Sequence, residues 1–562
     1  MKDTILWLQL PQRSKPDGHN LYSSIVDLSQ WSKRVANNKT GEQARLYFSL
    51  LAEVNSLDIP VQERLVFLES LHAPIIRLID KFSKKYSGSG LPLGEEKAKY
   101  VELVNAFWSE MAMGYKIIID DLSDAGFFSA LFSHNDLSTA IYSALYYLSH
   151  QAYYNYILYV DCSVDVWRDM HQLYHFAGQR KLCHKTIKNS LGEHLTIEGV
   201  YNKVLLFSLA NPYHLSNSEM KQLWTGLDQL SKFSQVVIKS DKALEKKSPF
   251  FIKPYSDAPP FSNTFKNNKP RDINNLLSDL SSDSVWGLET KKLVKHLEKS
   301  KDADVFSDYF SKRLIKLWSG NNGRNDKRNE LIEPVDIALG GTCVSQFLSQ
   351  IDIAPKIIKL ENEDQYELQS TVSAQAIYQA FLIDESKNGF RVKLNLESDR
   401  SIIPRMGEVV AIKHFDDSIH TGYLRWIHEN KEGDIEFGIE HLSSMAEPVQ
   451  LLLKNNSIPT DEFENSEDVK VLDSFVYPGS KADRYKPILF THSFIEHFSN
   501  ASNASINLKH KTGTLDICLT RKVGEVLDYS LYLFEKQEKS PTKSPLSYQE
   551  KAAQFQNMWK EI

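Results

Sequence analysis

The chain has 562 residues, 42% hydrophobic and 25% charged, with a formal net charge of −6. That length exceeds what one hydrophobic core serves and predicts three or four domains of ordinary globular composition. The acidic balance gives no electrostatic case for general nucleic-acid binding, and no window has the length and purity of a membrane span. Cys162, Cys183, Cys343 and Cys518 lie far apart, without disulfide or zinc-ribbon spacing. The apolar run Ile5 to Leu10 lacks a basic lead and is too short for a signal-peptide core. A cytoplasmic chain without a membrane span is the expectation.

Residues 1–240 read as a helical domain, with helical periodicity dominating 20–240. Glu42 to Leu57 repeats apolar residues at three- and four-residue steps, and Pro60 opens the next helix. That helix runs through Leu65, Leu68, Leu71 and Ile75 towards Lys84, with a kink predicted at Pro74. Glu95 to Ile119 is a further helix, and Ser216-Asn217-Ser218-Glu219 is a capping box before Met220 to Phe233. The succession predicts antiparallel helix pairs, bundle- or solenoid-like, without a strict repeat. The tyrosine-rich run Tyr142 to Tyr159 holds no lysine or arginine and reads as helix packing rather than a base-stacking platform. His171 and His175 stand four apart on a helix with Cys183-His184 beyond, but no H-E-x-x-H pattern supports a metal, and none is expected.

Residues 241–320 read as a linker and connecting helices. Lys246-Lys247-Ser248-Pro249 and Ala258-Pro259-Pro260 break the pattern, and helical periodicity returns from Asp272 to Trp318. Gly320 and Gly323 stop the last helix and free the next few residues to move. Next comes an R-x-x-x-R, Arg324 to Arg328, then a strand-like Pro334 to Gly340. After an interval comes D-x-S-x-x-G, from Asp384 through Ser386 to Gly389, and a strand alternating as Phe390-Arg391-Val392-Lys393-Leu394. Three more strand-like stretches complete the set, Met406 to Ile412, Thr421 to Ile427 and Ile435 to Glu440. Alone, the first motif is a common solvated charge pattern and the second an ordinary turn.

In this order, with these strands, residues 320–450 resemble the PilZ domain, a small β-barrel that binds the bacterial second messenger cyclic di-GMP. The resemblance implies a six-stranded barrel with Arg324 and Arg328 on phosphate and guanine. Arginine suits both: its planar fork meets guanine O6 and N7 bidentately and pairs with phosphate oxygens. Asp384, Ser386 and Gly389 would form the opposite wall, Asn388 adding a donor. Gly389 permits close approach of ligand to backbone. The interval 329–383 is longer than a compact PilZ domain needs, so an insertion, helical in part, is expected near 343–376.

Beyond a barrel ending at 455, Asn455 to Glu467 reads as an acidic linker. Residues 470–538 show short strands, with a hairpin turn at Lys511-Thr512-Gly513-Thr514, and predict a small β-rich module. Residues 539–562 read as a mobile tail with a short amphipathic helix. The fold class expected is α+β and multidomain: an N-terminal helical domain, a PilZ-like barrel and a C-terminal β-rich module. No P-loop, G-x-S-x-G or G-G-D-E-F signature is present, and no enzyme activity or cofactor is expected. The resemblance implies a cyclic di-GMP effector in motility, pili, adhesion or exopolysaccharide control, with a protein partner on the helical region. The alternative is a constitutive adaptor with a degenerate barrel.

Overall fold

The computed structural model describes residues 8–87, 93–124, 134–188, 194–238, 248–262, 285–299, 306–320, 328–349, 377–394, 404–430, 433–455, 469–478, 487–493, 495, 504–510, 513–526 and 529–536. The fold is α+β: a helical N-terminal domain is followed by two closed six-stranded barrels. The tail expected at 539–562, with its helix, lies outside the described residues.

The helical part runs α1 (Leu21–Ser24), α2 (Leu28–Val35), α3 (Thr40–Ser56), α4 (Val61–Tyr86), α5 (Glu95–Asp124), α6 (His134–Ile157) and α7 (Val166–Gln179). A two-stranded ribbon, β1 (Thr186–Lys188) and β2 (His194–Thr196), leads to α8 (Ile197–Leu209), a 3-10 turn (Pro212–His214) and α9 (Asn217–Leu230). Ends are capped locally: Asp27 accepts from Gln30 N, and Ser216 and Glu219 close the capping box of α9. α4 continues through Pro74, which is buried in it. Arg64 is fully buried, and its two Nη groups reach Val54 O at 2.7 Å and Leu57 O at 2.5 Å, carbonyls at the end of α3. The tyrosines of α6 are core: Tyr147 stacks on Tyr115 at 5.7 Å and Tyr153 on Trp224 at 4.5 Å between ring centres. Both ring nitrogens of His171 are in use, on Tyr201 Oη at 2.6 Å and Ala258 O at 3.0 Å.

The stretch expected as a linker is part of this domain where it is described. β3 (Gln235–Val237), β4 (Phe250–Ile252), β5 (Phe261–Ser262) and β6 (Trp286–Glu289) form a sheet in the order β3-β6-β4-β5. Phe250, Ile252, Trp286 and Leu288 are buried in the same core as the helices. Trp286 to Glu289 is therefore strand where helix was expected, and among the described residues of this stretch helix comes in α10 (Lys291–Lys299) and α11 (Asp308–Trp318). Strands of two to four residues carry too little alternation to stand out from a Lys/Pro-rich background.

This core has an acid-sensitive element. Burial pushes His150 down to about 3, with Lys203 adding to the shift, and burial pushes His171 down to about 4. Both remain neutral when folded and take up a proton near pH 6.5 when unfolded. The unfolded state thus binds more protons, so stability is full above pH 6.5 and falls as the pH drops below it. Each histidine is expected to cost up to about 1.4 kcal/mol per pH unit between pH 6 and 4.5. Urea unfolding across that range measures it, and His171→Gln is expected to flatten the slope.

The first barrel consists of β7 (Asn329–Leu339), β8 (Ile377–Ser386), β9 (Gly389–Leu394), β10 (Val409–Lys413), β11 (Ile419–Glu429) and β12 (Ile435–Ser443), closed in the order β10-β11-β12-β9-β8-β7. Val392, Leu382, Ile337 and Phe437 fill it. Between β7 and β8 lies α12 (Gly341–Leu348). The rest of the expected insertion, 350–376, lies outside the described residues. The second barrel is β13 (Glu447–Asn455), β14 (Val469–Tyr477), β15 (Ile488–His492), β16 (Ala504–His510), β17 (Gly513–Val526) and β18 (Tyr529–Lys536). β13 had been expected in the first barrel, but it pairs with β14 and β16, so the chain changes barrels before Glu447 rather than at 455.

α12 is wedged between the barrels. Cys343 and Val344 share a continuous core with Ala338, Val409 and Ala411 of one barrel and Phe475, Phe490 and Leu533 of the other. Thr342 Oγ1 donates to Asp473 Oδ2 at 2.6 Å. The helical domain meets the first barrel along the end of β11. Glu429 N donates to Tyr159 O at 2.8 Å, His428 Nε2 lies 2.9 Å from Asp161 Oδ1, and the Tyr213 and His428 rings are 4.5 Å apart.

Candidate ligand site on the first barrel

The site grows from the β8–β9 hairpin. β9 buries Phe390, Val392 and Leu394 and turns Arg391 and Lys393 outward, as period two requires. On β8 that alternation breaks: Leu382 pairs with Val392, but Asp384 pairs with Arg391, leaving Ile383 as the extra residue of a bulge. A second bulge, between Glu330 and Glu333, lies across the β7–β8 ladder, where Glu330 pairs with Asp384. Bulges re-aim side chains. Here they set Asp384 among cations while leaving it only 6% exposed.

Arg328, at the start of β7, donates from Nη1 to Asp384 Oδ1 at 2.5 Å. Arg391 Nη1 stands 3.8 Å from Asp384 Oδ2, while its Nε and Nη2 donate to Glu436 Oε2 at 3.1 and 2.6 Å. Lys393 Nζ pairs with Asp434 Oδ2 at 2.7 Å. Forked and charge-assisted bonds of this type hold guanidinium groups in a fixed plane. Two arginines, a lysine and three carboxylates thus form one strip across β7, β8, β9 and β12. Ser386 Oγ donates to Gly389 O at 3.2 Å and closes the turn, and Asn388 O accepts from His441 N at 3.0 Å.

Of the five residues expected at a site, Arg328, Asp384, Ser386 and Gly389 come together. Arg324 lies outside the described residues. Arg391 and Glu436 were missed, although the outward place of Arg391 beside the D-x-S-x-x-G motif was a usable signal. Also missed was a histidine cluster behind the turn: His414, His420 and His441 surround Phe390, and His420 Nδ1 is 3.2 Å from His441 Nε2. Burial, then mutual repulsion within the cluster, holds His420 below the usual histidine range, and burial does the same for His441. Among the described residues no group of three or more His, Cys, Asp or Glu side chains is arranged to hold a metal.

Two glycines are required by close approach. A Cβ on Gly438 would fall 1.9 Å from Trp426 Nε1, and one on Gly389 would fall 2.3 Å from Ile439 O. The second obstacle is backbone of the paired strand and cannot rotate away. Gly389→Ala is therefore expected to destabilise the barrel by about 1–3 kcal/mol, the usual cost of overpacking. Thermal unfolding followed by circular dichroism measures this. Unchanged melting would show that β9 and β12 can separate at this point without cost.

Comparison with known proteins bears on the two domains. Residues 26–240 match the family model described as the N-terminal domain of the cyclic-di-GMP receptor FimW, and residues 345–448 match the model described as its middle PilZ domain. The latter match begins inside α12, so β7 and Arg328 lie upstream of it. The cyclic-di-GMP receptor FimW of Pseudomonas aeruginosa is 24% identical over 274 residues, covering 48% of this chain and 42% of that protein's length. The first barrel is thus a PilZ domain, and it follows an N-terminal domain that matches the one in FimW.

Proposed function

We propose that this protein is a cyclic di-GMP receptor, a binding protein rather than an enzyme, whose PilZ barrel reports ligand occupancy to its helical domain. The observation that carries the reading is the meeting of Arg328 and Asp384, 56 positions apart, on one bulged strip. A phosphate oxygen and the Asp384 carboxylate offer Arg328 the same acceptor, so the ligand exchanges one charged partner for another. Arg324 takes the second phosphate or guanine, Asp384 then accepts from guanine N–H groups, and Ser386, Asn388 and Gly389 form the wall.

Two routes join this site to the helical domain. In sequence the arginine segment follows α11, whose Trp318 is wholly buried in the helical core. β11 carries Trp426 against Gly438, which pairs with Arg391, and two residues later His428 on Asp161. Reordering of the arginine segment would therefore shift the seating of the barrel on the helical domain, where a protein partner would read it. The output proposed, on the PilZ resemblance, is control of motility, pili, adhesion or exopolysaccharide. Among the described residues no helix is long and apolar enough to cross a membrane.

Calorimetric titration and thermal shift of the full chain with cyclic di-GMP test this. Ligand at one hundred times its Kd is expected to stabilise the protein by about 2.7 kcal/mol. Neither heat nor thermal shift would leave the constitutive adaptor as the better account.

A further inference from the structure

The C-terminal barrel repeats the PilZ barrel strand for strand. Numbered within each barrel, strands pair as one–two, two–three, three–six, six–five, five–four and four–one in both, all antiparallel. Closure of six strands does not by itself require this order, since a simple meander also closes a barrel. The irregularities add to the match: the five–six pair, β11–β12 in one and β17–β18 in the other, carries two register shifts in each.

The differences fall at the ligand site. In the PilZ barrel the one–two and two–three ladders are bulged beside Asp384. In the second barrel the described parts of those ladders, β13–β14 and β14–β15, run in unbroken register. Residues 440–446, which lead into β13, contain no arginine or lysine, and 478–487, which join β14 to β15, contain no D-x-S-x-x-G. We infer that residues 447–536 are a second barrel of PilZ topology without a dinucleotide site. It serves instead as the fixed body against which α12 and the ligand-binding barrel are clamped. This rests on the receptor reading for its ligand half and on strand pairing alone for its structural half.

Two measurements on the full chain separate those halves. Hydrogen–deuterium exchange with and without cyclic di-GMP is expected to show new protection at 328–330 and 384–391 and none at 478–487. Comparable protection at 478–487 would overturn the assignment of a site-free barrel. No protection anywhere would overturn the receptor reading, and the second measurement would still decide the repeat. Gln450 and Lys509 are exposed and directly paired across β13 and β16, the ladder that closes the second barrel. Opposed antiparallel residues have Cα atoms about 4.5–5.5 Å apart, within disulfide range. Gln450→Cys with Lys509→Cys is expected to form an intramolecular disulfide on mild oxidation, detected by peptide mass mapping. A folded variant that stays reduced, while a Val449-to-Ser474 control pair on β13–β14 cross-links, would overturn the repeat.

Discussion

Arg328→Ala is expected to abolish cyclic di-GMP binding at micromolar concentrations. Truncating one partner of a hydrogen-bonded charge pair at an interface typically costs about 2–5 kcal/mol, a factor of thirty to several thousand in affinity. The loss has two sources. The ligand forfeits a guanidinium that suits both phosphate and guanine. Asp384, only 6% exposed, is left, among the described residues, with Arg391 at 3.8 Å as its remaining guanidinium neighbour, and that arginine is already committed to Glu436. The barrel itself is expected to lose stability because a nearly buried carboxylate has lost its shortest bond. Calorimetry of the variant, with a melting curve as control, distinguishes these effects. Arg328→Lys keeps the charge but not the fork, and is expected to recover stability more than affinity. Wild-type affinity in Arg328→Ala would remove this residue from the site and leave Arg391 as the cation to test.

The second large effect is expected far from the ligand. Trp318→Ala removes a wholly buried side chain from the helical core, at a typical cost of about 3–5 kcal/mol. It also removes the bond from Trp318 Nε1 to Leu206 O at 3.0 Å, between α11 and α8. Thr290 Oγ1 donates to Trp318 O at 2.6 Å, so the end of α11 is held from the side of α10 as well. Because residues 321–328 follow this helix end in the sequence, loosening it is expected to weaken ligand binding by a smaller factor without touching any ligating atom. Urea unfolding gives the first effect and titration the second. A destabilised variant with unchanged affinity would show that the arginine segment is positioned by β7 alone.

Much of the candidate site was legible because its residues lie in short motifs. Asp384, Ser386 and Gly389 lie in one hairpin, and the alternation from Phe390 to Leu394 announces the adjoining strand. Arg328 could be paired with them only through the resemblance, since spacing alone does not bring distant residues together. The bulges that aim Asp384 were not legible: a bulge is one unpaired residue, and Ile383 looks like any apolar strand position. The short strands around Phe250 and Trp286 were hidden for the reason that periodicity needs length to be seen. Residues 447–455 were counted with the first barrel because sequence does not show strand partners, and Leu451 and Leu453 would fill either barrel equally well. Topology is a property of pairings, so the repeat of one barrel by the other became visible only with the register.

The shared core around α12 also bears on how the chain is made. The last strand of the first barrel, β12, ends at Ser443, whereas Phe490 and Leu533, which cover its Ala338, Val409 and Ala411 face, come later in the chain. During synthesis, which proceeds at about 5–20 residues per second, this apolar face emerges several seconds before its cover. A polypeptide stopped after the first barrel would keep that face exposed permanently. Ribosome stalling, premature termination or a cut near 456–468 would therefore yield a sticky fragment rather than an autonomous sensor. The second barrel is thus the cover that the first barrel's apolar face waits for.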